Sequence, residues 1–137
     1  MATPTYARNL RDAAFVKAGT LSNAATAAYS ASIDLGQTRV QSLEQVEFEV
    51  AVPATATLVN TKVMTLSVEE SADNTTFAAV DPAITTTITG TAGNVSAAKT
   101  VRFRLPSHTK RYVRIKAVTS ADGGDNTATA YTFSALF

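Results

Sequence analysis

Hydrophobic and polar positions alternate along most of this chain. In Gln45–Val52, Val46, Phe48, Val50 and Val52 point one way and Glu47 and Glu49 the other, until Pro53 stops the run. A period of two is that of a strand with one wet face. Thr61–Glu70 repeats it, with Met64, Leu66 and Val68 opposite Val63, Thr65, Ser67 and Glu69. Thr100–Leu105 sets Val101, Phe103 and Leu105 against Arg102 and Arg104, and Pro106 closes it. Arg111–Val118 sets Val113, Ile115 and Ala117 against Tyr112, Arg114 and Lys116. Thr129–Phe137 aligns Tyr131, Phe133, Ala135 and Phe137. Shorter strands are expected at Ser32–Leu35, Phe77–Val80 and Ala83–Thr89.

The segments between carry turn chemistry. Ser71–Phe77 holds Asp73 and Asn74, which tolerate positive φ and bond to their own backbone. Asp122-Gly-Gly-Asp-Asn126 reads as a tight turn. About eight strands at intervals of roughly 8–15 residues, with no strong helix, predict an all-β antiparallel β-sandwich or jelly roll.

Residues 1–30 differ. Tyr6–Val16 is too short for a stable lone helix. Leu21–Ser32 is rich in small residues and has no strong period. Yet Tyr6, Leu10, Phe15, Leu21 and Tyr29 are spaced large apolar residues, which tails rarely carry. The expectation is an extended N-terminal docking arm over 1–30, ordered against something else, and a sandwich domain over 31–137. At ~3.3 Å per residue, such an arm would reach ~100 Å.

Composition narrows the chemistry. Alanine, threonine and serine fill 57 of 137 positions and only 17% are charged, against ~25% in an average domain. Threonine suits the solvent face of a pleated sheet. The absence of cysteine excludes disulfides, thiolate metal sites and cysteine nucleophiles. His108, the single histidine, lies in a loop, and no serine sits in a G-x-S-x-G elbow. Asp122–Asn126 lacks the alternating acids and distal glutamate of an EF-hand. Glu69 and Glu70 are adjacent, so a strand points them to opposite faces. The expectation is a protein that is not an enzyme, with no catalytic residues, no metal and no cofactor.

Charge is unevenly spread behind a net +1. Glu44–Asp81 holds seven acids and one base, whereas Lys99–Lys116 holds seven bases and no acid. One reading pairs acidic with basic strands across a sheet. The other is a basic face in which Arg102, Arg104, Arg114, Lys116 and Tyr112 share one side. With one stacking ring and small net charge, that face does not predict nucleic-acid binding. No run approaches the ~18 apolar residues that span a membrane, and the start lacks a secretory pattern. No membrane partner is expected, and the absence of cysteine fits synthesis in the cytosol.

Three stretches carry a resemblance: Ala24–Gly36, Met64–Phe77, and Val101–Pro106 with Arg111–Ile115. Together they resemble tailed-bacteriophage capsid cement, or head decoration, proteins of the small jelly-roll type, over roughly residues 24–137. The resemblance implies a structural virion protein made in the host cytoplasm and placed on the outer surface of the head. It implies the major capsid protein as partner, bridging of its subunits, and a homotrimer. The side chains expected at the interface are Tyr6, Leu10 and Phe15 as anchors, and Arg8, Arg11, Lys17, Arg102, Arg104 and Arg114 for acidic surfaces. The alternative is a carbohydrate-binding β-sandwich of a phage fibre or adhesin, since strand-turn-Phe and R-Y-V-R-I patterns occur there too.

Overall fold

The computed structural model describes residues 13–36 and 46–136. A single 3-10 turn, Ala13–Phe15, leads into ten strands. These are β1 (Val16–Thr20), β2 (Ala27–Tyr29), β3 (Ile33–Asp34), β4 (Glu47–Val52), β5 (Val63–Ser71), β6 (Ala78–Ala79), β7 (Thr85–Thr89), β8 (Lys99–Phe103), β9 (Tyr112–Thr119) and β10 (Ala130–Leu136).

The strands form two antiparallel sheets. One runs β1-β10-β4-β8; the other has β9 and β5 at its centre, with β2 and β3 along β9 and β6 and β7 along β5. The ten strands therefore fill eight rows, because two short pairs each share a row. Pairing follows a folded hairpin: the first row with the last, the second with the seventh, the third with the sixth, the fourth with the fifth. That is the jelly-roll wrap.

The alternation works as expected. Phe48, Val50 and Val52 from β4, Met64, Leu66 and Val68 from β5, Val113, Ile115 and Ala117 from β9, and Tyr131, Phe133 and Ala135 from β10 are all buried. Phe48, Phe103 and Phe133 form the centre of one sheet's inner face, with ring centroids 5.8 to 6.2 Å apart. Offset rings at such distances add attraction beyond the area they bury. Tyr131 crosses to the other sheet, its hydroxyl donating to the Ile115 carbonyl at 3.3 Å. Burial pushes that hydroxyl's pKa up to about 12.

The region read as an arm differs from expectation. Residues 1–12 lie outside the described set, but from residue 13 on the chain is built into the sandwich. β1 pairs with β10, β2 with β9, and Leu21 between them is fully buried. What this stretch docks on is the protein's own body. Ala31 N–H donates to the Ala18 carbonyl at 3.3 Å, joining the two sheets along this side. Small residues permit the approach. A Cβ on Gly19 would sit 2.5 Å from Tyr131 Cζ and 3.0 Å from Ser30 Cα.

The turns use the chemistry their residues suggested. Asn74 has φ 59° and Asp122 φ 60°. The Asp73 carboxylate accepts from the backbone N–H groups of Thr75 and Thr76, both at 2.9 Å. Asn126 is fully buried in the last turn. Its amide accepts from Thr57 Oγ1 at 2.8 Å and donates to the Gly123 carbonyl at 3.3 Å, tying that turn to the loop after β4.

Gly19→Ala should destabilise the fold by ~1–3 kcal/mol, the usual cost of overpacking, with the denaturant slope unchanged. Its exposed neighbour Ala18→Ser should stay within ~0.5 kcal/mol. Urea unfolding of both variants checks this.

Candidate functional site

The outer face of the β9–β5 sheet carries the densest arrangement of functional side chains. Register creates it. Glu69 lies opposite Arg114 and Ser67 opposite Lys116 on β9, while Tyr29 on β2 lies opposite Lys116 from the other side. Phe77 arrives from the turn before β6.

Arg114 is the hub. Its guanidinium carbon lies 3.9 Å from the Tyr29 ring centroid and 3.8 Å from that of Phe77, so both of its faces are stacked. In its plane, Nε and Nη2 donate to Glu69 Oε2 at 2.9 and 2.8 Å. Lys116 Nζ stands 3.6 Å from Glu69 Oε1. Glu69 is buried although it is on an outer face, because these groups cover it. Only a planar guanidinium can stack on two rings and bond a carboxylate at its edge at once.

A second unit adjoins it. Arg111 donates to both Asp34 oxygens at 2.8 Å and lies 4.9 Å over the Tyr112 ring. These hydrogen bonds, with one from Gly36 N–H, hold the Asp34 carboxyl down at about 2. Tyr29 remains exposed at the β2 edge of this face, and the outward threonines Thr85, Thr87 and Thr89 line its opposite edge on β7. This surface offers rigid rings and fixed charge with little conformational freedom left to lose, which suits recognition.

The expected interface residues disperse. Tyr6, Arg8, Leu10 and Arg11 lie outside the described residues. Phe15 packs against the core, and Lys17 sits half-buried on edge strand β1. Arg102 and Arg104 do not share a side with Arg114, Lys116 and Tyr112. β8 belongs to one sheet and β9 to the other, so the single basic face expected from the sequence does not form. The charge pairing across strands does form, in both sheets. Arg102 Nε donates to Glu49 Oε2 at 2.9 Å on the β4–β8 ladder, as Arg114 does to Glu69 on β5–β9. Arg104 is exposed and has no ion-pair partner among the described residues.

His108 Nε2 lies 2.7 Å from the Asp81 carbonyl in a loop contact. Asp125 is occupied by its own turn, accepting from Thr127 N–H and Oγ1. The Tyr29–Arg114–Phe77 stack was not legible as a unit. Its members come from three separate segments, and two of them lie outside the long alternating strands.

Two outcomes test this geometry. A double-mutant cycle on Arg114→Met and Phe77→Leu should show a coupling of ~0.5–1 kcal/mol. The Asp34 pKa is depressed in the fold, so its pair with Arg111 stabilises above the ordinary value of 3.8 and is lost as pH falls toward 2. Melting temperatures from pH 5 to 2 should show Asp34→Asn less stable than wild type at pH 5, with the gap closing near pH 2.

The family model named Bbp16 matches residues 9–137 of this chain. No curated protein matches it. Among solved structures, the crystal structure of PBSX exported protein XepA superposes with a TM-score of 0.52 at 14% identity, over 99% of this chain and 39% of that one. This chain thus spans about two-fifths of the XepA chain, and the likeness is one of fold. A Family 16 Carbohydrate Binding Module-2 gives a TM-score of 0.34 at 12% identity, over 84% of this chain and 71% of that one. With the family model covering both sheets of the jelly roll, the chain belongs to the Bbp16 family.

Proposed function

We propose that this protein is a structural component of a bacteriophage particle that binds the outer surface of the head and bridges major capsid protein subunits. The observation that carries the reading is the outer face of the β9–β5 sheet. It presents a double-stacked arginine with an exposed tyrosine at its edge. Such a face is built to hold a surface rather than to transform a substrate. Supporting it are the sequence resemblance to cement proteins and the jelly-roll wrap. A further support is a fold relative that bears the name of phage PBSX. On this reading the protein is not an enzyme and acts in the assembled particle, and a trimer at three-fold positions is the arrangement the resemblance implies.

The carbohydrate-binding alternative needs open aromatic platforms. Tyr29, Phe77 and Tyr112 each already carry a guanidinium against one ring face, which favours the capsid reading.

Purified protein should co-sediment saturably with heads of its own phage. Tyr29→Glu should weaken that binding roughly tenfold, as expected for an aromatic anchor, in protein shown by circular dichroism to be folded at the assay temperature. A reconstruction of decorated heads would show both the docking face and the number of copies that associate. Absence of binding to heads, with saturable hits on a glycan array, would replace this proposal with the carbohydrate one.

A further inference from the structure

The two long sides of the sandwich are not alike. On one side β1 and β2 close the gap between the sheets through the Ala31–Ala18 hydrogen bond, with Leu21 buried behind it. On the other side the edges are β8 and β7, which belong to different sheets. The bond that spans them is from Lys99 Nζ to the Thr87 carbonyl, at 2.7 Å. Beneath it lies a small, half-open apolar cleft of about 20 Å³. Val101 and Phe103 line it from β8, Ile84 and Thr86 from the β7 side, and Leu66 and Val68 form its floor.

β8 is an edge strand. Among the described residues nothing pairs with its outer side, so alternate backbone N–H and C=O groups face away from β4. Its half-buried apolar residues, Val101 and Phe103, face the cleft. Lys99 and Arg104 bracket them, and neither has an ion-pair partner among the described residues. The other bases of Lys99–Lys116 are paired with carboxylates: Arg102 with Glu49, Lys110 with Glu70, Arg111 with Asp34, and Arg114 and Lys116 with Glu69. The uncompensated positive charge of this region therefore flanks the open edge.

We propose that the β8 edge, with the cleft under it, receives an extended acidic segment of a partner protein as an added strand. Backbone pairing to β8 supplies the affinity of strand addition, and alternate side chains supply selectivity. Apolar residues of the incoming segment cover Val101 and Phe103, and its acids meet Lys99 and Arg104. The same cations disfavour a second copy's β8, where like charges would be juxtaposed. They also disfavour this chain's own residues 1–12, which carry Arg8 and Arg11 against one acid, Asp12. This goes beyond the head-binding reading and does not depend on it.

The test uses the full chain and two capped peptides, Glu-Val-Glu-Phe-Glu-Val-Glu and its lysine counterpart, without phage heads. Binding is read by fluorescence anisotropy, and its location by hydrogen exchange. The acidic peptide should bind at least about tenfold tighter than the basic one and slow exchange at residues 99–103. The double variant Lys99→Glu/Arg104→Glu, checked by circular dichroism to be folded at the assay temperature, should lose that tenfold preference or invert it. A second variant, Val101→Asp, should abolish binding of the acidic peptide. Absence of binding, equal affinity for the two peptides, protection away from β8, or an unchanged preference in the double variant would each overturn the proposal. Because no heads are present, failure here is separate from failure of the capsid reading.

Discussion

Two carboxylates on outer sheet faces are buried: Glu49 is 3% exposed and Glu69 8%. A charge withdrawn from water must be paired or it becomes a large penalty. Each is met by an arginine one strand away, Arg102 for Glu49 and Arg114 for Glu69. The pairs lie directly opposite in the register of β8 on β4 and of β9 on β5. A slip of one residue would reverse which side chains face the core and would also strand both carboxylates. Hydrophobic alternation and charge pairing thus specify the same two ladders. The remaining rows of the jelly roll are added around them.

The alternation made β4, β5, β8, β9 and β10 legible in the sequence, together with the faces they bury. Proline and asparagine marked where runs stop and turns begin. The first two strands were not legible, for a physical reason. β1 is an edge strand whose inward position beside Tyr131 has to be Gly19, since a side chain there would meet the tyrosine ring. β2 is three residues long and turns its one large side chain, Tyr29, outward to stack on Arg114. Neither presents an apolar period, so both look like a tether. The alanines that suggested close packing on a partner do pack closely, but within the chain.

The grouping of the basic residues was hidden for another reason. Apart from the fourth and fifth, successive rows of this jelly roll lie in different sheets, so β8 and β9 are neighbours in sequence and lie on different layers. A run of seven bases in the sequence therefore divides into two surfaces, each neutralised mostly by glutamates that entered the fold some 45 to 53 residues earlier. Local sequence gives the sign of each strand's charge, and only the wrap decides which charges meet.

This internal use of charge shapes what the surface has left. Most arginines and lysines of Lys99–Lys116 are held by partners in the chain. What remains for the proposed recognition is stacked rings fixed by an arginine, and an edge strand whose apolar gap is flanked by the two bases of this run left without an ion-pair partner among the described residues, Lys99 and Arg104. Arg114 shows the economy of the arrangement, because it neutralises Glu69 and orients Tyr29 and Phe77 in the same position. Fixing those rings before any partner arrives removes the ordering cost that flexible side chains would meet on binding. A small domain gains a rigid, ordered surface this way without adding surface charge.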